Sequence, residues 1–148
     1  MSAHQTAMDP RLLIVDDSDD DIFFLTRALR KSGIALPVDC AANGAQGIKY
    51  LQSYLNNPHP KDELPSMVLL DLKMPLVDGH QVLEWIRGQP ALNQLPVYIL
   101  SSSQLDLDIS KAKKSGAADY WVKPSSLPEY QDLAVRIKTI LEPTRPAA

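Results

Sequence analysis

Hydrophobic residues in this chain gather into five short runs, separated by longer stretches in which apolar positions recur every three or four residues. The runs are "RLLIV" (11–15), "PVDCA" (37–41), "MVLLD" (67–71), "PVYIL" (96–100) and "DYWV" (119–122). Three of them are nearly continuous hydrophobics, the pattern of strands covered on both faces. The intervening stretches predict helices over about 20–32, 44–56, 79–88, 106–115 and 127–142. Strand and helix alternating five times predict an α/β fold, a doubly wound parallel sheet with helices on both sides. Right-handed crossovers leave few ways to wind it.

The first predicted helix carries a clear stripe. Phe24, Leu25, Ala28 and Leu29 fall on one face, and Gly33 is placed to end the helix. Ile22 and Phe23 lie off that stripe; edge packing is favoured over an exposed partner contact. "NNPHPKDELPS" (56–66) holds three prolines, too many for a helix interior, and "MPLVDG" (74–79) has turn chemistry. No repeat or second domain is visible. The expected organisation is a flexible N-terminus over 1–9, one domain over 10–142 and a flexible tail over 143–148.

Composition narrows the function. The chain has 148 residues, 45% hydrophobic and 22% charged, enough for one domain with a full core. A net charge of −3 gives no basic footprint for nucleic acid, and "KAKK" (111–114) reads as a solvated helix face. Cys40 is the sole cysteine, so no internal disulfide forms; it reads as a small buried hydrophobe in a reducing compartment. "MSAHQTAMDP" does not read as a signal peptide, having no basic start followed by an apolar core, and no apolar run is of membrane-spanning length. The cytoplasm is the expected location, with no membrane partner. His4, His59 and His80 lack metal-ligand spacing and read as solvated.

Candidate chemistry lies at the strand ends. In open parallel sheets, ligands bind outside the carboxyl ends of the strands, near the topological switch point. The first run ends in Asp16 and Asp17, the third in Asp71; Ser101 follows the fourth, and Lys123 with Pro124 the fifth. Three acids sharing a small site need a counter-charge, which a hard divalent cation such as Mg²⁺ supplies. Carboxylates, a hydroxyl and an ammonium suit a phosphoryl group, and one carboxylate can be the nucleophile. Asp16 and Asp17 open the stretch "VDDSDDD" (15–21), five aspartates in six positions. The rest reads as a separate feature: Ser18 or Asp19 as N-cap, then Asp20 and Asp21 at the positive end of the helix dipole.

These residues resemble the receiver domain of two-component response regulators. The resemblance rests on Asp16-Asp17, on Asp71 in "LLDLKMPLVDG", on Ser101 in "PVYILSSS" and on "GAADYWVKP", and runs over about residues 10–142. The proline-rich segment before the third run makes the chain similar to stand-alone regulators paired with bacterial phytochrome kinases. The resemblance implies a flavodoxin-like (βα)5 fold with strand order 2-1-3-4-5. It implies that Asp71 accepts a phosphoryl group from a phosphohistidine of a sensor histidine kinase. Asp17 and Asp71 would ligate Mg²⁺, with Asp16 helping directly or through water, and the Lys73 carbonyl as a further ligand. Lys123 and Ser101 would contact the phosphoryl oxygens, with the Ser102 amide as another donor. The Lys123–Pro124 bond would be cis. Tyr120 would be the switch aromatic, turning inward with Ser101 and reshaping the face of the fourth helix, fifth strand and fifth helix.

Lys73 and Ser103 occupy positions that border the phosphoryl group in the family and influence its lifetime. A lysine at 73 either holds charge near the phosphate, obstructs the attacking water, or is merely solvated. Such a protein catalyses its own phosphorylation and dephosphorylation and turns over no outside substrate. Its partners are the kinase and a downstream target or phosphotransfer protein, and a homodimer stays open. Three rivals are disfavoured. A phosphatase using Asp71 would carry a second Asp where Lys73 stands. An electron carrier would need a phosphate-binding loop where this chain has aspartates. A degenerate receiver, acting without phosphorylation, would lack part of the set, and none is missing.

Overall fold

Leu12–Val15 form strand β1, buried along their whole length because helices cover both faces of the sheet there. The chain continues through α1 (Asp19–Lys31), β2 (Val38–Ala41), α2 (Gly44–Leu55), β3 (Met67–Leu70) and α3 (Gly79–Arg87). It then passes a short 3₁₀ turn (Pro90–Leu92) to β4 (Val97–Ser101), α4 (Asp106–Lys114), β5 (Asp119–Val122) and α5 (Leu127–Leu141). This computed structural model describes residues 11–34, 36–56 and 64–142. The expectations for 1–9, 143–148, His4, His59 and most of the proline-rich segment lie outside the described residues. The helices and strands match their expected positions to within a residue or so at each end. The 3₁₀ turn was not expected; its proline pre-sets the first turn but the run is too short to leave a period.

The five strands are all parallel in the order β2-β1-β3-β4-β5, the doubly wound flavodoxin-like arrangement. Side chains alternate across the sheet and make two cores. Leu12, Ile14, Met67, Leu69, Leu100 and Trp121 pack with α1 and α5. Leu13, Val15, Val68, Leu70, Val97 and Ile99 pack with α2, α3 and α4. Burying each such aliphatic side chain contributes about 1.5–3 kcal/mol relative to exposure.

Helix α1 starts at Ser18, whose hydroxyl accepts the Asp21 amide at 3.2 Å. It ends in a Schellman motif, with Gly33 N–H bonded to the Arg30 carbonyl and Ile34 N–H to the Leu29 carbonyl. Gly33 sits at φ +86°, where a side chain would be strained. Leu25, Ala28 and Leu29 are buried, Ile22 packs at the edge of the core, and Phe23 is exposed. The lysines of "KAKK" are exposed around buried Ala112, a solvated face as expected. Cys40 departs from expectation: it is exposed. Its strand, β2, is an edge of the sheet, and among the described residues only β1 pairs with it. None of the helices among the described residues is long and apolar enough to cross a membrane.

Candidate functional site

The switch in winding direction falls between β1 and β3, and their register fixes what stands there. Val15 pairs with Leu70, and the Asp71 amide donates to the Val15 carbonyl at 3.0 Å. The next side chains, Asp16 and Asp71, therefore emerge side by side, each only 4% exposed. Asp17 is exposed, yet it offers a carboxylate oxygen within 4.8 Å of one from each of the other two. Gly79 permits this arrangement. A Cβ there would lie 2.2 Å from the Asp71 carbonyl oxygen and 2.7 Å from Leu72 Cα.

Lys123 enters from the far side. Strand β5 pairs Ser101 with Val122, and the Lys123 amide donates to the Ser101 carbonyl at 2.9 Å. Its Nζ lies 3.0 Å from Asp16 Oδ2, 3.2 Å from Asp71 Oδ2 and 2.6 Å from Asp21 Oδ2. Burial disfavours this ammonium, but the Asp21 hydrogen bond and the charges of Asp16 and Asp71 outweigh it and hold its pKa above the ordinary lysine value. Asp16 shows the opposite balance. Burial pushes its carboxyl up to about 6, aided by the charge of Asp71, although the Ser18 amide and Lys123 pull it down. For Asp21, burial is overcome by the Lys123 hydrogen bond and charge, and its pKa is lowered. The Tyr130 hydroxyl donates to Asp21 Oδ1 at 3.2 Å, and burial with the Asp21 charge pushes its pKa up to about 12.

One ammonium thus faces Asp16, Asp21 and Asp71, with Asp17 at the mouth. The negative excess, and the raised Asp16, make a set of hard oxygen donors that fits a divalent cation such as Mg²⁺. A cation on the three carboxylates Asp16, Asp17 and Asp71 would, with the ammonium and nearby hydroxyls, suit the oxygens of a phosphoryl group.

A second cluster lies beside the first. Ser101 is fully buried, and its Oγ accepts the Ser103 amide at 3.3 Å; Ser102 is exposed. The Ser103 carbonyl accepts the half-buried Tyr120 hydroxyl at 2.8 Å, and Ser103 Oγ donates to Asp108 Oδ2 at 2.5 Å. Asp108 also meets Lys73 Nζ at 3.3 Å and His80 Nε2 at 3.2 Å. These partners, Ser103 foremost, hold its carboxyl below the usual range. The Lys73 amide points back toward Asp71 Oδ1 at 3.4 Å.

Among the residues read from the sequence, Asp16, Asp17, Asp71 and Lys123 meet at one point. Ser101 borders it through the carbonyl that accepts the Lys123 amide, and Lys73 through its amide, 3.4 Å from Asp71 Oδ1; Tyr120 bonds to Ser103, and Ser102 is exposed. Three expectations are corrected. His80 is buried, not solvated, because Leu83 and Ile86 carry the same face of α3 into the core and α4 closes over it. The Lys123–Pro124 bond is trans: none of the described peptide bonds is cis. The two isomers of an X–Pro bond differ by only about 0.5–1 kcal/mol, and local sequence carries no signal for the choice. Asp21 is not merely a helix-dipole acid; it shares Lys123 with Asp16 and Asp71.

Asp21, Tyr130, Asp108 and His80 were missed as site residues. Asp21 carried a usable signal: with Leu25 and Ala28 it continues the buried stripe of α1 by one turn. Asp108 likewise precedes buried Ala112 by one turn.

Comparison with known proteins identifies the family and the fold. Residues 12–135 match the response regulator receiver domain family. The probable methanogenesis regulatory protein FilR2 of Methanothrix harundinacea is 32% identical over 131 residues, covering 88% of this chain and 81% of its own. Of several transcriptional regulatory relatives, the chain spans about half the length. The structure of the phosphorylated cyanobacterial phytochrome response regulator RcpA aligns with TM-score 0.81 and 26% identity, covering 93% of this chain and 97% of that one. The Mn²⁺-bound form of response regulator Rcp1 aligns with TM-score 0.78 and 27% identity, covering 94% and 99%.

Proposed function

The chain belongs to the response regulator receiver domain family, and from that premise we propose that it relays a signal by accepting a phosphoryl group on Asp71. The observation that carries the proposal is the meeting of Asp71 and Lys123 at 3.2 Å inside a group of carboxylates that one ammonium does not neutralise. The donor is the phosphohistidine of a sensor histidine kinase. An Asp71 oxygen attacks phosphorus, the P–N bond breaks, and the imidazole leaves with the bonding pair. Lys123 pairs with a phosphoryl oxygen, and the Ser101 hydroxyl and Ser102 amide donate hydrogen bonds to others. Mg²⁺ held by Asp16, Asp17, Asp71 and the Lys73 carbonyl would supply charge neutralisation at the same oxygens. The chain promotes its own phosphorylation and dephosphorylation, with no outside substrate.

The output is conformational. The phosphoryl group favours a state in which Ser101 moves toward it, and Tyr120, hydrogen-bonded to the Ser103 carbonyl, moves with that segment. Residues 10–142 act as the receiver unit. A downstream target or phosphotransfer protein reads the face of α4, β5 and α5, in the cytoplasm. Likeness to RcpA supports a kinase of the phytochrome type. The test is transfer of radiolabel from a phosphorylated sensor histidine kinase to this chain in Mg²⁺. Transfer that disappears in Asp71→Asn is expected. Failure of every sensor kinase of the same genome to transfer label contradicts the proposal.

A further inference from the structure

Lys73 stands at the rim of the site, yet its ammonium is turned away from it. Its amide lies 3.4 Å from Asp71 Oδ1, so its side chain leaves the backbone beside the reacting carboxylate. The Nζ instead sits 3.3 Å from Asp108 Oδ2, on the first turn of α4. The two partners are unequal: the lysine side chain is 60% exposed and that of Asp108 is 16% exposed. The carboxylate is fixed by others. Ser103 Oγ donates to Oδ2 at 2.5 Å, and His80 Nε2 lies 3.2 Å from Oδ1. His80 Nδ1 is buried with no partner among the described residues, which favours the tautomer whose N–H points from Nε2 to Asp108. Asp108 is therefore held in place by Ser103 and His80, and the more exposed lysine reaches to it.

We propose that Asp108 is a positioning residue that holds the Lys73 ammonium off Asp71 and so sets how fast the phosphoryl group is lost. The inference rests on Asp71 as the phosphoacceptor. In hydrolysis a water oxygen attacks phosphorus, the P–O bond to Asp71 breaks, and the carboxylate leaves with the bonding pair. Inorganic phosphate departs carrying the oxygen of the water, whose surplus proton passes to solvent. A lysine released from Asp108 pairs with the phosphoryl oxygens and covers the line of water's approach. Held at Asp108, it leaves that line open. An exposed ion pair biases its lysine by a factor of a few, so the effect on lifetime is of that size.

The experiment follows loss of radiolabelled phosphoryl group in Mg²⁺ after removal of donor. Asp108→Asn is expected to lengthen the lifetime about two- to fivefold. In a Lys73→Met background the same substitution is expected to change nothing further. An unchanged or shortened lifetime overturns the inference, and so does an equal lengthening with Lys73→Met. If no label enters the chain at all, the reading of Asp71 falls and takes this inference with it; label with an invariant lifetime overturns this inference alone. A readout independent of phosphorylation is the titration of the Asp108 carboxyl carbon by NMR. Lys73→Met is expected to raise its midpoint, and an unmoved midpoint overturns the inference even where Asp108→Asn does not fold.

Discussion

Lys123 Nζ donates a 2.6 Å hydrogen bond to Asp21 Oδ2 across 102 positions of sequence, joining the end of β5 to the first turn of α1. The bond makes Asp21 a structural member of the acidic site. Asp21→Ala removes one of the three carboxylates that meet Lys123, and with it the acceptor of the Tyr130 hydroxyl. It is expected to cost about 1.5–3 kcal/mol in urea unfolding at pH 7, the range for hydrogen bonds to charged groups. The lowered pKa of Asp21 fixes the sign of the pH effect. A depressed carboxyl contributes stability that is present above its unfolded pKa and lost as pH falls through the folded one. The difference between the two proteins should therefore shrink as pH falls below about 4.

Asp16 should behave in the opposite way. Its folded pKa of about 6 lies above the ordinary value of 3.8, so the folded protein binds this proton more tightly than the unfolded chain. On this account the metal-free protein loses stability as pH rises from about 4 through 6. Asp16→Asn lacks that loss and is expected to be the more stable protein at pH 7, by up to about 3 kcal/mol, with the gain vanishing near pH 4. Thermal unfolding across pH in the presence of a chelator measures it. The same variant should bind Mg²⁺ more weakly, the familiar opposition of stability and a crowded functional site.

Gly79 is the backbone condition for the site. A methyl group at Gly79→Ala meets the Asp71 carbonyl at 2.2 Å and Leu72 Cα at 2.7 Å, main-chain atoms that cannot swing aside. The expected cost is about 1–3 kcal/mol by denaturant unfolding, as for overpacking elsewhere. Mg²⁺ affinity should fall with it, because Asp71 must shift. Gly88→Ala is the control: its nearest neighbours stand at 3.5 Å, an ordinary contact.

The strands and their ends were legible because parallel strands covered on both faces must be continuous hydrophobics, and "RLLIV" and "MVLLD" can hardly be anything else. Once those runs pair, Asp16, Asp71, Ser101 and Lys123 are brought to one edge by register alone. What stayed hidden depends on contacts between distant elements. Nothing near Asp21 announces Lys123, and its acidic neighbours gave it a sufficient local explanation. His80 sits between Gly79 and Gln81, polar surroundings that mask its place one turn before Leu83. Cys40 lies in "PVDCA", where Pro37 and Asp39 already make the run less apolar than "RLLIV" or "MVLLD", but the strand order is what shows β2 to be an edge. The isomer of the Lys123–Pro124 bond has no local determinant, and the family expectation gave the wrong one.

The most direct test of the central claim is mass spectrometry of the protein after incubation with Mg²⁺ and acetyl phosphate. The expected result is a single phosphoryl adduct on Asp71, acid-stable and base-labile, absent in Asp71→Asn and strongly reduced in Lys123→Ala. No adduct on the wild-type chain, or one that persists unchanged in Asp71→Asn, would contradict the account.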